Sequence, residues 1–296
     1  MLRRVFRQRR RILFGATLLV MAMLIADRSQ PGAMSVFDTL PPLDRVLLVS
    51  TILALVSGIL ALFIALLPGL RMLVEVSAIA ALAQAVLIKV LPTDLVHLIW
   101  GTGFANLALV TLFLATYMLL YGSVSDYLPR WFRCNTRHIF RTPAEPETVW
   151  RRIVPDRAHL DTFWTGTLQT VRIDREEDDT VHAEFTLGGG MTEHQSITFL
   201  DRRAPHFCCY YFFCDAEGTN ADFSEGSYAA RIGELESGGC EVEMTLKRDA
   251  MRLRMALMMW FDDALGDQCD AIRASLGEGE DWSVVGHFNR QIRGMA

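Results

Sequence analysis

The most hydrophobic stretches of this chain all lie before Pro129, where long apolar runs are separated only by short polar segments. An α-helix rises about 1.5 Å per residue, so roughly 20 apolar residues are needed to cross the hydrocarbon core of a bilayer. Four runs reach or approach that length, and they predict membrane spans near residues 12–26, 47–67, 72–91 and 99–121. Residues 1–129 are therefore predicted to form a transmembrane helical anchor.

After Pro129 the hydrophobic pattern changes to the two-residue repeat of half-buried strands. Apolar and polar residues alternate from Val181 to Leu187, and again from Cys240 to Lys247. Clusters rich in Gly, Pro, Asp and Asn separate these segments from further strand candidates. The pattern predicts an antiparallel meander.

Helical periodicity flanks this meander on both sides. A short helix is predicted over Pro143–Ile153, and a second one around Asp156–Trp164. From Ala250 to Leu276 apolar residues recur at intervals of three and four, which predicts one long helix with an apolar stripe that must lie across the sheet. Residues 278–296 are predicted to be a C-terminal tail.

Composition and charge exclude several function classes. The 296 residues are 51% hydrophobic, and the mean hydropathy of +0.23 is high for a soluble protein. From residue 130 onward there are 19 Lys plus Arg against 28 Asp plus Glu, a net charge of −9 with scattered basic residues. Nucleic acid is therefore an unsuitable partner. The six cysteines show no CxxC spacing, so neither a metal site nor any other cofactor is predicted.

The distribution of arginines predicts the orientation. Six arginines lie between Arg3 and Arg11, and another group follows the last predicted span. Positive residues stay on the cytoplasmic side, which places the N-terminus and the distal domain in the cytoplasm at an inner or plasma membrane. The alternative is a cleaved signal peptide over Met1–Ala26, although no clear A-x-A site follows it. The distal domain would be cytoplasmic in either case.

The order of elements resembles the helix-grip fold of the START-like (SRPBCC) superfamily, which includes polyketide cyclase/dehydrase and lipid-transport proteins. The resemblance rests on HIFRTPAEPETVWRRIV, RAHLDTFWTG and RIGELESGGCEVEMTLKRDA, the last running into MRLRMALMMWFDDALGDQCDAIRASL. It indicates a helix-grip domain over residues 130–277. The expected fold class is thus an α-helical transmembrane region plus an α+β domain whose antiparallel sheet wraps around the long C-terminal helix.

The resemblance implies a cavity for a hydrophobic small molecule or lipid between the sheet and that helix. Several of the expected lining residues are methionines, which adapt to variable apolar partners. The same methionines could equally fill a core. The residues expected to line the cavity are Trp164, Phe185, Tyr211, Tyr228, Met244, Met251, Met255 and Met258.

Two alternatives to a binding or transfer function remain open. A cyclase/dehydratase-type enzyme would need a polar group inside the cavity, and the candidates are Tyr210, Tyr211, Glu193 and His194. The His182-x-Glu184 pair is expected on the solvated face, and no nucleophile motif occurs. The strand Phe207–Cys214 is apolar on both faces, so it could instead present an aromatic patch to a protein partner or to the bilayer. Binding is favoured over catalysis, because no catalytic constellation is recognisable.

Overall fold

The computed structural model describes residues 1–27, 36–91, 104–174, 179–188, 191–216 and 224–295. The chain divides into two compact units, Met1–Leu128 and Pro129–Ala296. The first is helical, with α1 (Leu2–Arg7), α2 (Arg9–Asp27), α3 (Val36–Thr39), α4 (Pro42–Leu66), α5 (Leu73–Val90), α6 (Phe104–Leu120) and short 3-10 turns at Pro68–Leu70 and Ser123–Tyr127.

Two of the described helices, α4 and α5, are long and apolar enough to cross a membrane. The expectation of about four spans is therefore wrong for the part of the chain that the structure describes. Helix α2 covers the predicted span 12–26, but it begins with Arg9, Arg10 and Arg11, whose charges are expensive to bury in hydrocarbon. Helix α6 is apolar but short, and the first part of the predicted span 99–121 lies outside the described residues.

Buried polar side chains join the helices of the first unit. The Arg11 Nε lies 3.0 Å from a carboxylate oxygen of Glu75, and both side chains are fully buried. The Tyr121 hydroxyl donates a hydrogen bond to the same carboxylate, and Arg11 also donates to the Gln8 side-chain oxygen at 3.0 Å. A buried charge must be paired to be tolerated, so this network fixes α2 against α5.

The described residues of the second unit form one antiparallel sheet of seven strands in the order β1-β7-β6-β5-β4-β3-β2. The strands are β1 (Phe132–Thr142), β2 (Leu168–Ile173), β3 (Thr180–Gly188), β4 (Met191–Arg203), β5 (Phe207–Ala216), β6 (Ser224–Glu234) and β7 (Cys240–Met251). Helix α7 (Pro146–Ile153) and a 3-10 segment (Arg157–Thr162) connect β1 to β2. The predicted antiparallel sheet with helices after it is confirmed, and this order is compatible with a helix-grip architecture.

Strand β1 is an edge of the sheet, because β7 is its only neighbour among the described strands. Three arginines on β1 form ion pairs with acidic residues of β7: Arg133 with Asp249, Arg137 with Glu243 and Arg141 with Glu241, at 3.4, 2.7 and 2.8 Å. These side chains point away from the apolar core, since the residues between them alternate toward it.

The predicted long C-terminal helix is interrupted. Helix α8 (Leu253–Asp262) ends at Asp263, and α9 (Ala264–Ser275) begins directly after it. Asp263 has a φ of 50° in the left-handed region, which Asp tolerates better than most residues because its short side chain can hydrogen-bond nearby. Its carboxylate lies 3.2 Å from His138 Nε2 on β1.

The segment predicted to be a C-terminal tail contains a helix, α10 (Val284–Met295), which packs against α9 and β3. Asp267 of α9 is buried and accepts hydrogen bonds from the backbone N–H groups of Val284 and Val285, at 2.9 and 2.8 Å. Burial raises the pKa of the Asp267 carboxyl to about 7, although the two backbone hydrogen bonds oppose the shift. The helix N-terminus is thus anchored by a side chain distant in sequence.

Candidate functional site: the inner face of the sheet

One face of the sheet, called the inner face below, carries the apolar core of the second unit. On β7 the even-numbered residues Cys240 to Leu246 are buried, whereas the odd-numbered residues are more exposed. The register places Tyr228 of β6 opposite Leu246, and Tyr210 of β5 opposite Tyr228. Met259, Leu265, Cys269 and Ile272 of α8 and α9 belong to the same buried cluster. The C-terminal helices therefore pack over the inner face.

The inner face is not uniformly buried along its strands. Toward the start of β7 it is closed: Cys240, Val242 and Met244 are fully buried, and the Cys269 thiol contacts the Met244 sulfur at 3.7 Å. Toward the end of β7, Ile197, Phe212 and Cys214 are buried. Other inward-facing side chains at this end are only half-buried, and these are Cys134, Thr136, Phe185, Gln195, Tyr210 and Arg248. The two ends of the same face thus differ in solvent access.

Aromatic rings occupy the middle of the inner face. The rings of Tyr210 and Tyr228 stack with centroids 5.0 Å apart, and Phe199 meets Tyr210 edge to face at 5.6 Å. Phe163 and Phe185 form a further pair at 5.9 Å. Burial raises the pKa of both tyrosines well above 10, so their hydroxyls stay protonated at neutral pH.

Polar groups gather at the half-buried end of this face. The Gln195 amide nitrogen lies 3.1 Å from the Cys214 sulfur, and burial raises the pKa of Cys214 to about 12, so it stays a thiol. Glu193 lies on the same face of β4 as Gln195 and is half-buried. The guanidinium carbon of Arg248 lies 5.4 Å from the centroid of the Phe212 ring.

The structure brings some of the predicted ligand-binding residues together. Phe185, Tyr228 and Met244 lie on the inner face, and Trp164 and Met255 pack half-buried against its core cluster. Met251 is buried at the end of β7.

Two of the predicted ligand-binding residues, Tyr211 and Met258, are not among the described residues that form or pack against the core cluster. Tyr211 faces outward, is 40% exposed and donates a hydrogen bond to Glu225 at 2.8 Å, because its neighbour Tyr210 takes the inward position. Met258 is only half-buried, and the core methionine of α8 is instead Met259.

The candidate acid/base residues also lie partly on the inner face and partly on the outer face of the sheet. Glu193 and Tyr210 face inward, whereas His194 is exposed beside Glu193 on the other face. The His182 ring bonds Asp174 and Ser196 at the outer surface, at 3.1 Å each.

Sequence reasoning missed Arg248, Gln195 and Thr136. The signal for Arg248 was present, because it continues the even-numbered series of β7 beyond Leu246. The sequence prediction ended that strand at Lys247, so the inward arginine was not recognised.

No protein-family model and no curated protein matches the chain. Among solved structures, it is similar to a conserved protein from Geobacillus kaustophilus at 11% identity and a TM-score of 0.36, covering 54% of this chain and 97% of that one. A protein from Rhizobium leguminosarum is 14% identical with a TM-score of 0.37, covering 50% and 97%. The di-domain ARO/CYC BexL of the BE-7585A biosynthetic pathway is 9% identical with a TM-score of 0.28, covering 68% and 59%. Similarity at these levels carries no information about the chemistry of this chain.

Proposed function

We propose that this protein is a membrane-anchored binding or transfer protein for a hydrophobic small molecule or lipid. The ligand lies between the inner face of the sheet and the C-terminal helices, at the half-buried end of that face.

The observation that carries the proposal is the incomplete burial of large apolar side chains that point inward. Trp164, Phe185, Tyr210 and Met255 all pack against the core cluster, yet each keeps part of its surface exposed. A closed interior buries such side chains completely at native packing density. Apolar surface that faces inward and stays accessible is the usual lining of a ligand site.

The anchoring part of the proposal is supported by the exposure of α4. After Asp44 and Arg45 in its first turn this helix carries no charged residue, and few of its side chains are buried within the protein. Leu55, Ile59 and Leu66 are each more than half exposed. A contiguous apolar surface of this kind is rare on a soluble monomer. In a bilayer, lipid chains instead of water would contact these side chains.

The test compares two tryptophan substitutions on α8 in the full chain reconstituted in nanodiscs. Met255 is half-buried at the proposed site, and Met259 is buried in the core of the same helix. A photoreactive alkyl diazirine probe is crosslinked, and its attachment to peptides of residues 129–296 is quantified by mass spectrometry. Met255→Trp should occupy the ligand's space and reduce this labelling strongly, with little change in the thermal midpoint.

Met259→Trp is the overpacking control, and it should cost about 1–3 kcal/mol because that position is already filled. The proposal fails if the wild-type second unit takes up no probe, or if Met255→Trp destabilises the protein as much as Met259→Trp while leaving labelling unchanged. Either result would favour a packed domain that acts as a scaffold.

A cyclase/dehydratase-type enzyme is the second candidate, because Glu193 and Tyr210 both face inward. A carboxylate in a partly desolvated site is a standard acid/base group. In that case Glu193→Gln would retain probe labelling but abolish conversion of a ligand recovered from the purified protein. Unchanged turnover in Glu193→Gln would remove this candidate.

A further inference from the structure

We infer that helix α1 lies in the headgroup region of the bilayer and that the arginines around it bind anionic phospholipids. The inference rests on the anchoring part of the proposed function, since it names the lipids that surround one end of the helical unit. This end, called the arginine end below, contains α1, the start of α2, the end of α4 and the start of α5.

Contacts of α1 fix its position at the arginine end. Arg4 is buried, and its guanidinium donates a hydrogen bond at 3.3 Å to the carbonyl oxygen of Ala65, near the end of α4. Val5 packs against a buried cluster to which α2, α4 and α5 each supply one residue: Ile12, Ile64 and Val74. One side of α1 is thus packed against the ends of the three longer helices.

The other side of α1 exposes apolar side chains. Leu2 is 86% and Phe6 is 60% exposed, and a spacing of four residues places them on the same face of the helix. Near the end of α4, the side chains of Leu66, Leu67 and Leu70 are also at least 47% exposed. Large apolar side chains on a short helix beside an apolar span are typical of a helix that lies in the membrane interface.

Cations surround these apolar side chains. Residues 1–26 contain six arginines and no acidic residue, and Arg71 adds a seventh arginine between α4 and α5. The guanidinium carbon of Arg9 lies 4.3 Å from the centroid of the Phe6 ring, so charge and exposed apolar surface are in direct contact. Clusters of about four to eight basic residues on such a helix are typical of binding to anionic lipids.

The acidic residues of the helical unit are too few to neutralise the arginine end. Residues 1–128 contain six acidic residues. Asp27 and Asp44 lie at the far ends of α2 and α4, roughly 24 Å from Arg11 and roughly 32 Å from Ala65 along the helix axes. At most four acidic residues, Glu75 among them, are then left for seven arginines. At least three positive charges therefore remain in excess within this unit, whichever arginines are paired.

An anionic phospholipid meets both requirements of this surface. Its acyl chains would contact the exposed apolar side chains of α1, and its phosphate oxygens match the donor fork of a guanidinium. A zwitterionic phospholipid also offers a phosphate, but its net charge is zero. The excess positive charge therefore predicts a preference for the anionic lipid.

The experiment uses the full chain in nanodiscs of neutral lipid that contain a small fraction of a photoreactive phospholipid. Phosphatidylglycerol and phosphatidylcholine each carry the same diazirine in an acyl chain. Crosslinks to residues 1–11 are quantified by mass spectrometry after digestion with a protease that does not cut at arginine. In the wild type, phosphatidylglycerol should crosslink about fivefold or more above phosphatidylcholine, since each arginine near an anionic surface changes binding by up to about fivefold.

The test variant is Arg3→Gln/Arg7→Gln, which should lower this ratio by about threefold or more. Arg3 is exposed and Arg7 is half-buried, so the substitutions leave the packed side of α1 intact. Arg45→Gln/Lys89→Gln is the matched control, because it removes two cations from the opposite ends of α4 and α5. The control should leave the ratio at residues 1–11 unchanged.

Salt provides a second test that needs no substitution. Raising the ionic strength from about 0.1 M to about 1 M shortens the Debye length from roughly 10 Å to roughly 3 Å. The preference of the wild type for phosphatidylglycerol should therefore fall, while the crosslinking by phosphatidylcholine should stay nearly constant.

Equal crosslinking of residues 1–11 by the two lipids in the wild type would overturn the inference. A ratio that either high salt or Arg3→Gln/Arg7→Gln leaves unchanged would overturn it as well, and so would an equal fall in Arg45→Gln/Lys89→Gln. Crosslinks to α4 without any to residues 1–11 would show that α1 lies outside the lipid. Absence of crosslinks throughout residues 1–128 would instead refute the anchoring part of the proposed function.

Discussion

Replacing Asp267 by Asn should reverse its effect on stability between acidic and alkaline pH. The carboxylate is buried beneath α10 and accepts two backbone N–H groups, from Val284 and Val285. Burial raises its pKa to about 7 in the folded protein, whereas an Asp in an unfolded chain titrates near about 3.9. The folded state therefore binds the proton more tightly than the unfolded state.

The sign and size of the pH-dependent change in folding stability follow from the difference between the pKa values of this carboxyl in the folded and unfolded states. Stability contributed by this carboxyl is complete below about pH 4 and is lost as the pH rises to about 7. The difference between the two pKa values corresponds to roughly 4 kcal/mol as an upper bound. Asn cannot ionise, so it avoids this loss. It retains only one acceptor oxygen, and the lost hydrogen bond costs about 1 kcal/mol at every pH.

Asp267→Asn should therefore be less stable than the wild type by about 1 kcal/mol near pH 4 and more stable by up to about 3 kcal/mol at pH 8. Urea unfolding of the full chain, followed by tryptophan fluorescence from pH 4 to pH 8, measures the difference. Glu236→Gln, at an exposed position in the turn between β6 and β7, is the control, and it should leave the pH dependence unchanged. If Asp267→Asn keeps the wild-type slope between pH 5 and pH 7, the buried carboxyl does not titrate as described.

Two further predictions concern Gly226, which lies opposite Arg248 in the sheet, and the orientation in the membrane. A Cβ on Gly226 would lie 2.0 Å from the Lys247 carbonyl oxygen, so Gly226→Ala should lower the free energy of unfolding by about 1–3 kcal/mol. The control is Gly233→Ala on the same strand, where a Cβ would meet no atom within 4 Å, and it should leave the free energy of unfolding nearly unchanged. Equal effects of the two substitutions would contradict the geometry. A membrane-impermeant maleimide should label the half-buried Cys134 and Cys209 only after intact cells are permeabilised, while Cys208 and Cys214, whose pKa burial raises to about 12, stay unlabelled at pH 8. Labelling before permeabilisation would place the second unit outside.

The sequence predicted the antiparallel sheet because alternation is a local property. Within each of the segments Val181–Leu187 and Cys240–Lys247, the alternation of apolar and polar residues shows which residues face inward. Strand β5 has no such alternation, since it is apolar on both sides, and only its pairing with β6 shows that Tyr210 faces inward and Tyr211 outward. The expected position of Tyr211 was wrong for this reason.

The C-terminal region required long-range information. Apolar periodicity continues across Asp263, where neither Gly nor Pro marks a break, so a single helix was predicted. The contact between Asp263 and His138 of β1 joins residues 125 positions apart, and such a contact leaves no trace in a local pattern. Helix α10 likewise depends on Asp267, which lies 17 residues before Val284.

The arginines of β1 bear on how copies of this protein behave when they are crowded together. An edge strand presents unpaired backbone groups that can recruit a second sheet, and anchoring in a bilayer would hold many copies in one plane at high local concentration. Two β1 edges that met would bring Arg133, Arg137 and Arg141 of one copy beside the same arginines of another, and like charges directly across strands are destabilising. The ion pairs with β7 hold these side chains in place along the edge. The strand that directly follows the helical unit thus discourages lateral aggregation.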